Sequence, residues 1–214
     1  MRSKNRLLKN WRIYPILDNT MFPDTETLVF KFSELIKSPV DAIQLRLKDP
    51  VNESFLRLAA VMAAKAAKKG ISLIMNDRPE LAIASGCDGV HLGKADMTVS
   101  AARKFLGRDA IIGCTVRGRK DLEGLKGADH DYVSIGPVFH SPLKSDIDNI
   151  SYSEIRGLCR ATDKTVVAIG GIDAKNVGKV LQCGVQAVAF MRYALADKDT
   201  EKKIKQLKRI MGSI

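Results

Sequence analysis

Residues 42–75 read AIQLRLKDPVNESFLRLAAVMAAKAAKKGISLIM. The stretch opens on a short apolar run, Ala42–Leu47, and closes on another, Ser72–Met75. Between them Asn52–Lys69 carries Phe55, Leu58, Ala59, Met62 and Ala66 on one face of a helix. Lysines gather toward its C-terminal end, and Gly70 stands where a helix stop is expected. The two flanking runs are apolar nearly throughout, as strands covered on both faces should be. The stretch therefore predicts a strand, a crossover helix and a second, parallel strand.

The same unit recurs in both directions. Further short apolar runs occupy Ile13–Leu17, Gly89–Leu92, Ala110–Cys114, Tyr132–Ile135, Val166–Ile169 and Ala187–Met191, which makes eight in all. Helical patterns lie between them. Thr98 opens one over Val99–Leu106 that ends at Gly107, Asp173 is placed to cap Ala174–Gln182, and the last helix covers roughly 198–211. No linker or shift of composition divides the chain. Eight such units predict an α/β protein, a single-domain (β/α)8 TIM barrel over residues 12–214, preceded by a basic extension at residues 1–11. An open doubly wound sheet is the rival, and it has no need of eight units. The longest irregular stretch, residues 136–151 (GPVFHSPLKSDIDNIS), follows the sixth run, and on a barrel such a loop belongs to the catalytic face.

The totals narrow the function. At 214 residues, 45% hydrophobic and 28% charged, the composition is that of an ordinary globular domain. No apolar run reaches membrane-spanning length, and the N-terminus lacks the apolar core of a signal peptide, so a cytoplasmic protein is expected. Cys87, Cys114, Cys159 and Cys183 form no CxxC pair, and the three histidines do not cluster with them, which predicts buried free thiols rather than a metal site. The net charge of +11 is concentrated at the two ends. There is no nucleic-acid module and no interleaving of basic and aromatic residues, so an anionic small molecule is the expected partner. A homodimer is compatible with the sequence, which does not fix the oligomeric state.

Most polar clusters fall at the C-terminal ends of the strands. Alternation along the second run puts Gln44, Arg46 and Lys48 on one side. Two cations beside an amide suit phosphate oxygens, while the competing arrangement is a buried salt bridge to carboxylates of neighbouring strands. The third run ends in Asn76-Asp77, and Asp96 stands just beyond the fourth. Two carboxylates on adjacent strand ends suit a hard cation such as Mg²⁺. Alternatively, Asp77 caps the next helix and Asp96 braces the loop before Thr98. His91, within the fourth strand, reads as a satisfied interior residue, and neither His130 nor His140 stands out as catalytic. After the seventh run, Gly170-Gly171 allows close backbone approach by a ligand or simply makes a tight turn.

The segments IQLRLK, IMNDRPELAIASGCDGVHLGKAD, IIGCT, DYVSIGPVF and VVAIGGIDAKNV, with Lys144, resemble the thiamine-phosphate synthase and thiazole tautomerase superfamily from about Arg12 to Met211. The resemblance implies a transferase that joins hydroxymethylpyrimidine pyrophosphate to hydroxyethylthiazole phosphate with loss of pyrophosphate. It implies that Gln44, Arg46, Lys48 and Asn76 hold the pyrimidine pyrophosphate and that Asp77 and Asp96 hold Mg²⁺. Thr115 stands where the family has a Ser hydroxyl, Lys144 would neutralise the leaving pyrophosphate, and Gly171 would meet the thiazole phosphate. Three departures from the family pattern occur, the first and last of them on the second-substrate half. Ser141-Pro142-Leu143-Lys144 replaces Thr-x-Thr-Lys, Lys94 replaces a Gln, and Met191-Arg192 replaces a small Val-Ser pair. The sister tautomerases tend to lack the two aspartates and to carry a catalytic His where this chain has Arg117. A tautomerase, or a phosphate-ligand binder without turnover, is therefore the weaker expectation.

Overall fold

A computed structural model describes residues 4–48, 52–139, 149–196 and 198–212. The strands are β1 (Ile13–Asp18), β2 (Ala42–Arg46), β3 (Ser72–Asn76), β4 (Gly89–Leu92), β5 (Ile111–Val116), β6 (Tyr132–Ile135), β7 (Thr165–Ile169) and β8 (Ala187–Phe190). All pair in parallel, in chain order, and β8 returns to β1 to close the barrel. Each expected run is a strand, displaced by no more than two residues at an end.

Helices α1 (Lys4–Lys9), α2 (Thr25–Leu35), α3 (Glu53–Lys68), α4 (Pro79–Ser85), α5 (Val99–Leu106), α6 (Arg119–Gly124), α7 (Tyr152–Arg160), α8 (Val177–Leu181), α9 (Arg192–Leu195) and α10 (Thr200–Gly212) surround it. In α3 the Asn52 side chain accepts the Phe55 N–H, Glu53 sits in the first turn, and Lys65 and Lys68 sit in the last, each favourable to the helix dipole. Its buried residues are Ala59, Met62, Ala63 and Ala66. The small side chains let the helix lie close on the strands. The expected cap at Asp173 is corrected. Asp173 Oδ1 accepts from the N–H groups of Lys175 and Asn176, while Asn176 Oδ1 accepts the Asp173 N–H, so these residues form a closed turn and α8 begins only at Val177.

Alternation sorts the strand residues into two cores. Outward residues such as Ile43, Leu73, Val133 and Val188 pack beneath the helices. Inward residues, among them Tyr14, Ile16, Ala42, Ile74, Ile111, Tyr132, Val167 and Ala187, fill the barrel, and Leu8 and Trp11 close its lower end from α1 and the residues after it. Lys4 reaches Asp131 at 2.9 Å, which ties the N-terminal segment to the same floor.

The floor carries a device repeated four times. Asp41, Asp88, Asp131 and Gln186 each stand one residue ahead of an even-numbered strand. Each donates its backbone N–H to one residue of the preceding odd strand and accepts that residue's N–H on its side chain. The partners are Ile13, Leu73, Ile112 and Val166, and the side-chain bonds measure 2.9, 2.8, 2.8 and 2.7 Å. Strand ends that a barrel leaves with unpaired N–H groups are thereby satisfied, and the stagger of each strand pair is pinned. Replacing Gln186 by Met removes the acceptor and keeps the stem. It is expected to cost about 1 kcal/mol in urea unfolding, and Gln186→Glu, which restores the acceptor, to recover most of that. Equal midpoints for Gln186→Met and the unsubstituted chain would show that the bond contributes nothing.

Candidate active site

The opposite rim collects the polar residues. On β2, Gln44 and Arg46 point inward, and the register sets Gln44 beside Ile16 and Arg46 beside Asp18. Asp18 is 1% exposed. One of its oxygens accepts from the Thr20 N–H at 2.9 Å and the Thr20 hydroxyl at 2.7 Å, and the other takes the Arg46 guanidinium in a short ion pair. The salt bridge to a neighbouring strand is therefore present. It engages one of the donors of Arg46 and leaves the remainder of its fork available. Lys48 lies just past the strand, exposed, with its N–H on the Asn19 side chain.

Asp77 follows β3 with φ of +63°, in the left-handed region that L-residues other than Asn and Asp seldom adopt. Its N–H donates to the His91 carbonyl at 2.8 Å. Position N-cap of α4 belongs to Arg78, which makes no side-chain cap, so Asp77 does not cap that helix. The turn instead carries its carboxyl to Asp96. Burial, the hydrogen bond to Asp96 and the charge of Asp96 raise the Asp77 pKa, while Asn76 and Lys48 oppose the rise. Asp96 also braces its own loop, accepting the Gly93 N–H at 2.6 Å. A Cβ on Gly93 would lie 2.9 Å from that carboxylate, so glycine makes room for it.

Two carboxylates held together against their own repulsion fit a hard cation, which takes one or two carboxylates and completes its shell with water and phosphate oxygens. Among the described residues no group of three or more His, Cys, Asp or Glu gathers, so a fully protein-made metal cage is not present there.

Thr115, near the end of β5, faces inward and is half-buried. Its Oγ1 is 3.1 Å from His91 Nε2, and His91 Nδ1 is 3.0 Å from the Tyr132 hydroxyl. Burial lowers the His91 pKa to about 4, with Asp96 opposing, so the ring is neutral at physiological pH. The interior reading of His91 holds. Sequence reasoning missed Asp18, Tyr14 and Tyr132, because their roles depend on which strands are neighbours.

After β7, Gly170 and Gly171 have φ of +105° and +60°. A Cβ on Gly170 would lie 2.7 Å from Pro137 Cα, so this turn requires glycine. Val138 and Phe139 donate to the Ile169 and Gly170 carbonyls, which seats the start of the β6 loop beside the glycine turn. Ser141, Lys144 and His140 lie outside the described residues. Met191 packs with Ile169 on the interior cluster, and Arg192 opens α9, exposed. Lys94 turns away to Asp121 at 2.7 Å, and Asp121 also accepts the Arg117 N–H. The four cysteines are free. Burial pushes the Cys87 and Cys159 thiols up to about 11 and Cys114 up to about 12.

A closed parallel barrel with cations and paired carboxylates at its C-terminal rim defines a barrel enzyme of the class that acts on small phosphorylated substrates. A family model described as thiamine monophosphate synthase matches residues 13–194. The chain belongs to that family. It is 33% identical over 195 residues to a thiamine-phosphate synthase of Halalkalibacterium halodurans, covering 91% of this chain and 92% of that one. It is 33% identical over 204 residues to one of Clostridium novyi, covering 94% and 98%. A solved thiamine phosphate pyrophosphorylase from Pyrococcus furiosus superposes with a TM-score of 0.86 at 26% identity, covering 97% of this chain and 98% of that one.

The carboxylate pair makes a stability prediction. A carboxyl whose folded pKa lies above its ordinary value is favourable below the ordinary range and becomes a cost as pH rises through the folded value. In EDTA, Asp77→Asn is expected to raise the melting temperature by about 2–4 °C at pH 8, roughly what about 1 kcal/mol gives after solvent screening. Asn also accepts the left-handed backbone. The gain should vanish near pH 3.5, where native Asp77 is protonated. A melting temperature at pH 8 no higher than that of the unsubstituted chain would mean that the two carboxylates do not repel.

Proposed function

We propose that this chain is a thiamine-phosphate synthase that couples hydroxymethylpyrimidine pyrophosphate to hydroxyethylthiazole phosphate. The observation that carries the reading is the meeting of Asp77 with Asp96 on neighbouring strand ends, with Lys48 near enough to act on the charge of Asp77. The family supplies the reaction. The bond from the pyrimidine methylene to the pyrophosphate oxygen breaks, and its electron pair leaves with pyrophosphate. The thiazole nitrogen then closes a C–N bond on the resulting cation.

Such a reaction needs charge neutralisation, positioning and exclusion of water more than it needs a base. Gln44, Arg46, Lys48 and Asn76 hold the pyrimidine pyrophosphate, Arg46 presenting the part of its fork that Asp18 leaves open. Asp77 and Asp96 hold Mg²⁺, which when bound spreads the charge of the leaving group. Thr115 places a hydroxyl against the same substrate, and Lys144 neutralises the departing pyrophosphate. Gly171, Ser141, Met191 and Arg192 form the thiazole-phosphate side, where Arg192 replaces backbone recognition with charge. Free thiols and the lack, among the described residues, of a helix able to cross a membrane accord with a cytoplasmic setting.

Pyrophosphate release assayed with both substrates is expected to require Mg²⁺. Asp96→Ala should lower kcat by about a hundredfold or more while circular dichroism stays unchanged. Turnover at the native rate in EDTA would overturn the metal assignment. Arg192→Ser should raise KM for the thiazole phosphate by about tenfold and leave KM for the pyrimidine pyrophosphate near its native value. Equal rises in both would remove Arg192 from the phosphate site.

A further inference from the structure

A continuous line of hydrogen bonds crosses the barrel interior, and its members come from five strands. Gln44 Nε2 on β2 donates to the Tyr14 hydroxyl on β1 at 3.0 Å. The Tyr14 and Tyr132 hydroxyls are 2.9 Å apart, Tyr132 being on β6. The Tyr132 hydroxyl is 3.0 Å from His91 Nδ1 on β4, and His91 Nε2 is 3.1 Å from Thr115 Oγ1 on β5. Tyr14 and Tyr132 are each 1% exposed or less, Gln44 3% and His91 7%. Only Thr115, at the end, is half-open to the rim.

Each proton in this line has one place to go. Tyr14 receives the amide N–H of Gln44, so its own hydrogen turns to Tyr132. Tyr132 already accepts there, so its hydrogen turns to His91 Nδ1. Nδ1 is then an acceptor and carries no proton, and the neutral ring keeps its proton on Nε2. Nε2–H donates to Thr115 Oγ1, whose own hydrogen is left to point elsewhere. Run the other way, the line would end with Tyr14 donating to an amide nitrogen, which has no lone pair to offer.

We infer that His91, Tyr132 and Tyr14 are positioning residues: the buried relay from Gln44 locks His91 as its Nε2–H tautomer and thereby turns the Thr115 hydroxyl into a donor aimed at the bound phosphorylated substrate. The inference rests, for its last step, on the proposed contact between Thr115 and the pyrimidine pyrophosphate. The relay gives a hydroxyl, which otherwise rotates freely, a fixed direction before substrate arrives. A donor already oriented toward a charged oxygen is worth more than one that must be turned on binding. The device also joins buried Gln44 on β2 to Thr115 on β5, across β3 and β4, into one unit.

The test reads the tautomer directly. In the ligand-free full chain at pH 7.5, long-range ¹⁵N–¹H correlation on ¹⁵N-histidine-labelled protein reports which ring nitrogen carries the proton, with the His91→Gln variant identifying the resonances. The expected result is an Nε2 proton on His91. In Gln44→Glu the new acceptor takes the Tyr14 hydrogen, the relay reverses, and the proton should move to Nδ1. An Nδ1 proton in the unsubstituted chain, or no change in Gln44→Glu, would overturn the relay. Kinetics then test its use. Tyr132→Phe is expected to lower kcat/KM for the pyrimidine pyrophosphate about tenfold, to leave KM for the thiazole phosphate unchanged, and to add nothing in a Thr115→Val background. Additive losses alongside a confirmed Nε2 proton would overturn the step from Thr115 to substrate, and with it that contact in the proposed function, while the tautomer lock stands.

Discussion

Strand stagger is the constraint on which the rest of this barrel depends. A closed parallel sheet has no edge, so a slip of one residue in any pair would turn a strand's inner face outward and break the closure. At the floor, Asp41, Asp88, Asp131 and Gln186 each grip one residue of the strand before them by two bonds. The grip falls on alternate strands, so every odd strand is fixed to the even strand that follows it. Gln44, Tyr14, Tyr132 and His91 meet in the interior because those registers bring their strands into step. Even the small residues serve this layer: a Cβ on Gly113 would stand 2.0 Å from the Tyr132 ring.

The two ends of the barrel are treated in opposite ways. Below, acids face donors. Asp131 accepts the Ile112 N–H and takes ion pairs from Lys4 and Arg103, with Asp131 only 5% exposed at its side chain. Above, Asp77 faces Asp96, with Asp77 held in a left-handed turn. Folding alone has no reason to bring two carboxylates together and to place one of them on an unfavourable backbone. The exception at the rim is Asp18, buried and fully used by Thr20 and Arg46. It fixes the guanidinium in advance, so the entropy of ordering that long side chain is lost in folding rather than in binding.

Much of this was legible in the sequence, and what was not shares a cause. The strands could be read because strands covered on both faces are apolar runs, and α3 because its apolar face, cap and stop agree. The carboxylates could be placed at adjacent strand ends by counting along the chain. Asp18 could not be found as the partner of Arg46, since that pairing follows from the β1–β2 register rather than from any spacing. Tyr14 and Tyr132 are 118 residues apart and yet hydrogen-bonded, which no spacing in the chain signals. Asp173 misled for a local reason. An Asp ahead of a helical pattern suits a cap, but Asn176 offered it a reciprocal turn, and that turn competes with the first turn of a helix.

On the proposed reading, the second-substrate side changes the means by which this fold holds a phosphate. Backbone N–H groups bind through fixed dipoles and lose little on binding. In its place an arginine at the start of α9 would bring a full charge on a long stem, which would have to be ordered on binding. Met191, the residue before it, and Ile169 pack against the apolar interior cluster. A charge gains strength when a ligand expels the water around it, because the local dielectric falls as the site closes. On the proposed reading, this side of the barrel exchanges a preformed phosphate cradle for one that matures as the substrate settles.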